Sequence, residues 1–480
     1  MSRINTNVAA MLSARVLNKN TVNVQKSLER LSTGLRINRG ADDPAGLIAS
    51  ENLRKQIVGT DSAVKNAERA INIIGTAEGA LSEVNSMLLD LQGLLSEAAN
   101  KGGMSSEEVD ANQLQVDSIL NSINRIANTT EFEGMKLLNG NKAYTVSGIN
   151  AGIVSDYKIN AAKLIDGAAM TVDITTVDSA DTGLVYLSGN VSATVPLTIQ
   201  IGSNRGTTEL TFAGGTTAAN VRAGINAVAE VTGVSATASG TTSLLRSRDF
   251  GSDAYVSVEI LSGVQGATGI RLMQTYGGAS ASSAKVYGED YEASINGTSA
   301  TGDGKKLTLR TAMLELELEL TNNAALSTAT ETFQITGGGA DFALGALVEA
   351  PALESVGIQS IATSSLGDSN GTLNTLKSGA ANALGGNNLY TAQRIVSAAI
   401  KDVSSLRGRL GAFQKNTLET TINALNVTKE NLSSAESAIR DTDFAKETAN
   451  LTRSQILVQA ATSAVAQANF APQSVLSLLG

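Results

Sequence analysis

The sequence contains no histidine, no cysteine and no tryptophan among its 480 residues. It can therefore form no disulfide, and it offers no thiolate nucleophile, no imidazole base and none of the usual ligand sets for zinc, haem or iron–sulfur clusters. A pair of carboxylates, or a lysine or tyrosine acid, could still support catalysis, because glycosidases need only two acidic residues. The composition thus disfavours an enzyme, and we expect no cofactor and no metal.

Aromatic residues are also scarce, at 3% of the chain, although 42% of the residues are hydrophobic. The core must consequently be built from alanine, leucine, isoleucine and valine. Acidic residues outnumber basic ones by 45 to 36, and no basic cluster with interleaved aromatics occurs, so neither nucleic acid nor an anionic membrane is an expected partner. No apolar run approaches the roughly 20 residues that span a bilayer. The N-terminus also lacks the apolar stretch of a secretory signal.

The N-terminal 35 residues carry a coiled-coil pattern. Small and apolar residues recur there with alternating spacings of four and three, which indicates a helix with a 3.5-residue repeat. Asn38 to Gly40 interrupt the pattern, and Asp43-Pro44 then reads as an N-cap followed by proline at the first helical position. The positions of the stripe are Ala10, Ala14, Leu17, Thr21, Val24, Leu28, Leu31 and Leu35.

Helical spacing continues after this turn and returns at the C-terminal end. A second helix is predicted to about residue 98, with a shift of phase near Gly75 and Gly79, and a third follows the turn at 101–104. After about residue 375 the pattern resumes, and Leu451, Val458 and Val465 are spaced seven apart. Heptad spacing does not reveal whether the partner helix lies in the same chain, as in a monomeric bundle, or in another copy.

The middle of the chain has a composition typical of β-structure, rich in glycine, threonine, serine and valine. Hydrophobic residues alternate at period two, which predicts half-buried strands around one short helix at 218–231. The clearest strands are predicted at 197–201, 234–238, 255–260 and 314–320. We therefore expect an α+β multidomain fold, in which long helices of both termini form a coiled-coil rod and the central insert is mainly antiparallel β-sheet.

Two groups of acidic residues admit a chemical interpretation. Asp42, Asp43, Asp441 and Asp443 could be metal ligands, but with no further acidic residue nearby we interpret them as caps. Glu315, Glu317 and Glu319 could suggest acid catalysis. Because residues at period two share one face of a strand, we interpret these glutamates as the solvated face opposite four leucines.

Helices with apolar stripes at both ends of the chain are suited to pack against the same helices of other copies. If the contact between copies is heterologous and does not close into a ring, it propagates as a filament. Small residues along the apolar stripes allow the helices to approach closely over a long contact. The residues expected to carry assembly are Ala10, Ala14, Leu17, Val24, Leu28, Leu31, Leu35, Leu451, Val458, Val465 and Leu476.

Several motifs in these helical ends resemble bacterial flagellin, the subunit of the flagellar filament. The resemblance covers about residues 1–175 and 375–480, and a segment at 212–228 is similar to the flagellin hook IN motif, which gives a module near 195–262. The motifs are Ile4-Asn-Thr-Asn7, Leu28-Glu-Arg-Leu-Ser-Thr-Gly-Leu-Arg-Ile-Asn38, Ala41-Asp-Asp-Pro-Ala-Gly46, Thr130-Glu-Phe-Glu-Gly134, Leu406-Arg-Gly-Arg-Leu-Gly-Ala-Phe413, Ala466-Gln-Ala-Asn469 and Pro472-Gln-Ser-Val-Leu-Ser-Leu-Leu479.

The resemblance implies a domain organisation, partners and a location. Residues 1–43 with 441–480 would form the inner coiled coil, 44–175 with 376–440 a helical rod with a small β-hairpin, and 176–375 a variable outer insert. The chain would be secreted through the flagellar type III apparatus into an extracellular filament that serves swimming motility. Its partners would be copies of itself, an export chaperone on the C-terminal helix, and the filament cap and hook–filament junction proteins.

The resemblance also locates the region that the flagellin-sensing Toll-like receptor recognises. Recognised members carry an arginine, a leucine and a glutamate there, whereas this sequence has Asp90, Leu94 and Gln115. Exchanging arginine for aspartate reverses the charge and removes the planar guanidinium group, which can donate several hydrogen bonds to the receptor. We expect weak or absent activation of the receptor.

Two functions other than that of a filament subunit remain as alternatives for this chain. A hook–filament junction protein has similar helical ends, although the match at 406–413 and over the last ten residues favours flagellin. The insert could alternatively act as an adhesin or glycan-binding module displayed on the filament.

Overall fold

The computed structural model describes residues 6–476 apart from 101–102, 165–167, 193, 241, 265–269, 275–277, 280, 322–329, 348, 350–351, 369–370 and 387, and of 471–476 only the backbone. Helices occupy both ends of the chain, as the spacing predicted. They are α1 (Val8–Thr33), α2 (Pro44–Ala98), α3 (Ser106–Thr129), α4 (Ala218–Ala227), α5 (Ala229–Thr232), α6 (Leu389–Ala412), α7 (Thr420–Arg440) and α8 (Phe444–Leu476). A π-helical segment, Phe413–Glu419, precedes α7.

Side-chain caps set the ends of these helices. The Asn7 Oδ1 accepts a hydrogen bond from the Ala10 N–H at 3.0 Å at the start of α1, and Gly34, with φ 75°, caps its C-terminal end. Gly34 is suited to this left-handed position because it has no Cβ. Ser105 and Glu108 form a reciprocal capping box on α3. The Asp43 Oδ1 accepts from the Gly46 N–H at 2.9 Å, which confirms Asp43 as a cap of α2.

The buried face of α2 runs without a break. Its positions follow alternating spacings of three and four through Ala70, Ile74, Ala77 and Leu81, all almost inaccessible to solvent. The predicted shift of phase near Gly75 is therefore wrong. The stripe looks interrupted in the sequence because two of its core positions, Ala70 and Ala77, carry alanine, which is only weakly hydrophobic. The full stripe is Ala67, Ala70, Ile74, Ala77, Leu81, Val84, Leu88, Leu91, Leu95 and Ala98.

Two glycines of α2 should respond to alanine in opposite directions. A Cβ on Gly59 would lie 2.3 Å from the backbone oxygen of Ala346, whereas one on Gly75 would meet nothing within 4 Å. We expect Gly59→Ala to lower the free energy of unfolding by about 1–3 kcal/mol through this clash. Gly75→Ala should raise it by about 1 kcal/mol through helix propensity. Urea unfolding of the two monomers, followed by circular dichroism, tests this; equal effects would contradict it.

The described strands fill the middle of the chain. They are β1 (Glu131–Phe132), β2 (Met135–Lys136), β3 (Thr145–Ser147), β4 (Val154–Ala162), β5 (Met170–Asp178), β6 (Leu184–Ser188), β7 (Leu197–Ser203), β8 (Gly206–Phe212), β9 (Val234–Ser239), β10 (Thr242–Ser247), β11 (Tyr255–Ser262), β12 (Arg271–Met273), β13 (Ser283–Tyr287), β14 (Glu292–Ile295), β15 (Thr298–Ser299), β16 (Thr301–Asp303), β17 (Lys306–Arg310), β18 (Leu314–Leu320), β19 (Thr330–Gly337), β20 (Ala340–Ala343), β21 (Leu353–Val356), β22 (Gly367–Asp368) and β23 (Gly371–Thr372).

These strands build two hydrophobic cores. Sheets β12-β6-β10-β9 and β13-β11-β7-β8 enclose one core with α4, and the described residues of this core all lie between 185 and 286. Sheets β15-β14-β5-β19-β3 and β16-β17-β18-β4 enclose the other, whose residues come from both sides of that module in sequence. All pairings in these four sheets are antiparallel. The expected α+β fold with a mainly antiparallel insert is confirmed.

The strand β18 matches its prediction residue by residue, but its glutamate face is only partly exposed to solvent. The four leucines are buried, as expected, while the three glutamates are half-buried. Glu315 accepts from the Arg310 Nε at 3.2 Å, and Glu317 lies 3.5 Å from the amide nitrogen of Asn160 on β4. Arg310 and Asn160 thus cover part of the face that the alternation alone assigned to water.

The chain divides into two compact units. The first comprises residues 1–71, 343–352 and 413–480, and the second comprises 72–342 and 353–412. The predicted boundary between 175 and 176 falls within β5, which pairs with β14 and β19.

Candidate assembly surface

The two terminal helices of the chain pack against each other in antiparallel orientation. At one end of the pair, Leu35 and Asp441 form an antiparallel β-bridge, and the Thr442 N–H donates to the Gly34 oxygen at 2.9 Å. At the other end, the Asn7 Nδ2 donates to the Ala468 oxygen at 2.7 Å. The start of α1 therefore lies beside the end of α8.

One face of α1, which we call the inner face, contacts α8. Its members are buried or half-buried and follow alternating spacings of three and four: Ala10, Ser13, Leu17, Asn20, Val24, Ser27 and Leu31. Every second member is apolar, and the members between them are polar. This face differs from the predicted stripe, in which Ala14, Thr21 and Leu28 took the places of the three polar residues.

The inner face of α8 has the same period. Its buried or half-buried members are Glu447, Leu451, Ser454, Val458, Ala461, Val465 and Ala468. Leu451, Val458 and Val465 thus lie on the face that the sequence predicted, and they alternate with small or polar residues. The two inner faces together form the contact within one chain, which we call the intrachain seam.

The structure separates the eleven predicted assembly residues into groups. Seven lie on the intrachain seam: Ala10, Leu17, Val24, Leu31, Leu451, Val458 and Val465. Ala14 and Leu28 lie beside it and are exposed, and Leu35 is half-buried in the bridge to Asp441. Leu476 is the last residue of α8, and its side chain lies outside the described residues.

A second set of apolar residues, which the single-stripe interpretation missed, is exposed on the far side of both helices. On α1, Val8 and Val22 are fourteen residues apart and 67% and 59% exposed. On α8, Ile456 and Phe470 have the same separation and are 61% and 63% exposed. Fourteen residues are two heptads, so each pair shares one side of its helix, roughly opposite the seam.

Further exposed apolar residues flank these pairs. Met11 and Leu12 lie next to Val8, and Val16, Leu28 and Leu457 lie between the two sides. We call this whole set, with Val8, Val22, Ile456 and Phe470, the outer face. Monomeric proteins rarely expose contiguous apolar patches of this kind. The signal in the sequence was that α1 carries more apolar residues than one heptad stripe can hold.

Polar residues order the turn between α1 and α2 and the start of α8. The Lys26 ammonium lies 2.7 Å from the Asp42 carboxylate and lowers the pKa of that group, with help from the N–H groups of Arg39 and Asn38. The Asp443 Oδ1 accepts from the Lys446 N–H at 3.1 Å, so Asp443 caps α8. The cap interpretation of Asp443 is confirmed, and Asp42 stabilises the turn.

The three residues of the expected receptor region lie on the helical part of the second unit. Asp90 on α2 and Gln115 on α3 are exposed, whereas Leu94 on α2 is half-buried. In the part of the chain that the structure describes, no helix is both long and apolar enough to cross a membrane.

Three family models match this chain. The bacterial flagellin N-terminal helical region covers residues 4–143, and the bacterial flagellin C-terminal helical region covers 394–479. The flagellin hook IN motif covers 196–246, within the first core module of the insert.

Curated relatives match over nearly the whole length. Flagellin B of Vibrio anguillarum is 32% identical, and polar flagellin B/D of Vibrio parahaemolyticus is 31% identical; each alignment covers 99% of both chains. Flagellin A of Vibrio cholerae is 32% identical over the same shares. The matches extend through the insert as well as the helical ends. The chain therefore belongs to the bacterial flagellin family, the structural, non-enzymatic subunits of the extracellular filament that drives swimming.

Proposed function

We propose that copies of this flagellin polymerise through the outer face of α1 and α8, while the intrachain seam joins the two ends of each chain. The observation that carries the proposal is that both helices have two apolar sides, and only one of them is covered within the chain. Burying a large apolar side chain contributes about 1.5–3 kcal/mol. Covering the outer face with neighbouring copies would therefore supply a strong drive for assembly.

The predicted assembly residues take two roles in this proposal. The seven seam residues act inside one chain, by holding α1 against α8 so that the outer face has a defined shape. Ala14 and Leu28 act between chains, at the edge of the outer face. Leu35 holds the turn that ends α1, and Leu476 extends the assembly surface at the end of α8.

The proposed domain organisation follows from these roles. Residues 1–43 with 441–480 form the inner coiled coil, 44–175 with 376–440 the surrounding rod, and 176–375 the outer surface of the filament, except that strands β3 to β5 share a core with the insert and belong with it. Supporting this, both hydrophobic cores of the insert are made without any residue of α1 or α8. The insert can thus differ in shape without altering the polymerising ends.

The outer face also accounts for the proposed partners. Before assembly, Ile456, Leu457 and Phe470 of α8 are exposed, so an export chaperone that covers them would prevent premature association. The cap and hook–filament junction proteins would contact the same helices at the two ends of the filament, where one side of the outer face has no neighbouring flagellin.

Charged substitutions on the outer face test the proposal. We expect Val22→Asp, which charges the outer face alone, to form no filaments under conditions in which the parent chain polymerises. The double variant Leu28→Asp/Leu31→Asp, which charges one residue of the outer face and one of the intrachain seam, should also form none. Val231→Asp is the matched control, because Val231 is 62% exposed on α5 and lies outside both terminal helices. Electron microscopy and sedimentation measure polymer. Normal filaments from Val22→Asp would overturn the proposal.

A receptor assay tests the expectation for the innate-immune region. We expect purified monomer to activate the flagellin-sensing Toll-like receptor weakly or not at all, because exposed Asp90 replaces the arginine of recognised members. Asp90→Arg/Gln115→Glu should raise the signal in a reporter cell line. Strong signalling by the parent monomer would contradict the expectation.

A further inference from the structure

We infer that the contact between Ser27 and Glu447 fixes the register of the antiparallel α1–α8 pair. The Ser27 Oγ donates to the Glu447 Oε1 at 2.6 Å, and an Arg30 guanidinium nitrogen lies 3.6 Å from the Glu447 Oε2. Ser27 is 5% exposed and Glu447 is 7% exposed, so both sit inside the seam. The buried Glu447 carboxylate thus has both a hydrogen-bond donor, Ser27, and a cation, Arg30, beside it.

The apolar residues of the seam cannot define the register alone. On α1 they recur every seven residues at Ala10, Leu17, Val24 and Leu31, and on α8 they recur every seven at Leu451, Val458 and Val465. Sliding one helix by one heptad, about 10 Å, would place apolar residues opposite apolar residues again. Contacts would be lost at the ends of the overlap, where the slip would also break the Leu35–Asp441 bridge and the Thr442–Gly34 hydrogen bond; within the helical overlap the apolar contacts alone favour no register.

The surroundings of Glu447 do distinguish the registers. A slip of one heptad in one direction would bring Glu447 opposite Asn20, where Asn23 takes the place that Arg30 holds now. A slip in the other direction would bring it opposite Gly34, beyond the last residue of α1. Either slip would leave a buried carboxylate without its cation. The Asn7–Ala468 hydrogen bond at the far end of the pair agrees with the native register.

The energetics favour a role in specificity over one in stability. Removing a carboxylate from water is costly, and the attraction within a buried ion pair often fails to repay that cost. An apolar residue of similar size often replaces a buried ion without loss of stability. A polar residue at one seam position is, however, an established way to specify the register of a coiled coil. Glu447 is accordingly a positioning residue for the seam.

The register can be measured by disulfide cross-linking, because the chain has no native cysteine. Counting two heptads from Ser27 and Glu447 places Ser13 opposite Ala461 in the native register. Ser13→Cys combined with Ala461→Cys reports that register. Ser13→Cys combined with Ser454→Cys, or with Ala468→Cys, reports a slip of one heptad in either direction. All four substitutions exchange a small side chain for another small side chain.

The comparison is made in filaments of the full chain, with and without Ser27→Ala/Glu447→Met. On the parent background we expect only the native pair to cross-link within a chain, which a denaturing gel separates from cross-links between chains. On the apolar background we expect filaments to form and the slipped pairs to rise about tenfold, a change equivalent to about 1.4 kcal/mol. Glu447→Gln, which keeps an acceptor for Ser27 but loses the charge, should lie between the two.

Two results on the apolar background would overturn the inference: cross-linking of the native pair alone, or loss of filaments, since we expect the apolar pair to be tolerated. Slipped cross-links on the parent background would also contradict it. The inference does not depend on the outer face as the polymerising surface. Failure of that proposal would appear in Val22→Asp, which leaves the seam intact.

Discussion

A chain that lacks residues 1–43 and 441–480 will remain monomeric under conditions in which the full chain forms filaments, and it will keep its β-sheet signal. The deletion removes both faces of α1 and α8, including the whole outer face. It removes no member of either insert core, because those members lie between 144 and 335. It also leaves the buried stripe of α2 intact. Loss of polymer should therefore be complete, without loss of the insert fold.

Sedimentation velocity and circular dichroism measure the two halves of this prediction. A chain that lacks only residues 441–480 is the matched control for the contribution of α8. It should also remain monomeric, because α1 loses its partner across the seam. Filaments from either truncated chain would show that another surface of the protein polymerises, and an unfolded insert would show that the cores need the terminal helices.

Replacing Arg409 with methionine should destabilise the second unit by about 3 kcal/mol. Arg409 lies on α6 within the motif at 406–413, and its guanidinium donates to the Asn160 Oδ1 and, at 3.2 Å, to the Gly357 oxygen. Burial lowers the pKa of Arg409, although nearby Glu315 and Glu317 oppose this effect. Removing the guanidinium leaves buried acceptors without donors, which costs about 1–3 kcal/mol each.

Arg407→Met is the matched control for this prediction. Arg407 stands two residues away on the same helix, with a 31% exposed side chain and only a 3.9 Å ion pair to Glu78. Such pairs contribute about 0–1 kcal/mol, so its loss should change stability little. Urea unfolding of the monomers compares the two variants. Equal effects would contradict the role assigned to Arg409, and Arg409→Lys should recover only part of the loss because it lacks the planar fork.

The sequence predicted the type and order of the main elements because their periods differ so clearly. Heptad spacing identified the helical ends, and alternation identified β18 residue by residue. Fold class, family, filament function, non-enzymatic character and extracellular location are confirmed by the family models and the full-length relatives. The caps at Asp43 and Asp443 followed from local chemistry alone, which needs no tertiary contact.

The predictions differ from the structure where the burial of a side chain depends on neighbouring helices or strands. The stripe predicted on α1 contains Ala14 and Leu28 because they are apolar, whereas the intrachain seam has Ser13 and Ser27 in their place, and Ser27 donates to Glu447 of α8. The glutamates of β18 were assigned to water because alternation cannot show that adjacent side chains cover that face. In both cases the determining contacts come from other elements, α8 for Ser27 and the neighbouring strands for the glutamates, which spacing within one segment cannot reveal.

Cryo-electron microscopy of filaments sheared from cells tests the central claim most directly. We predict that α1 and α8 of each chain pack along the seam of Ser27 and Glu447, and that Val8, Val22, Ile456 and Phe470 are buried against other copies. Filaments in which these four side chains face solvent would contradict the account, as would filaments in which Leu17, Val24 and Val458 form the contacts between chains.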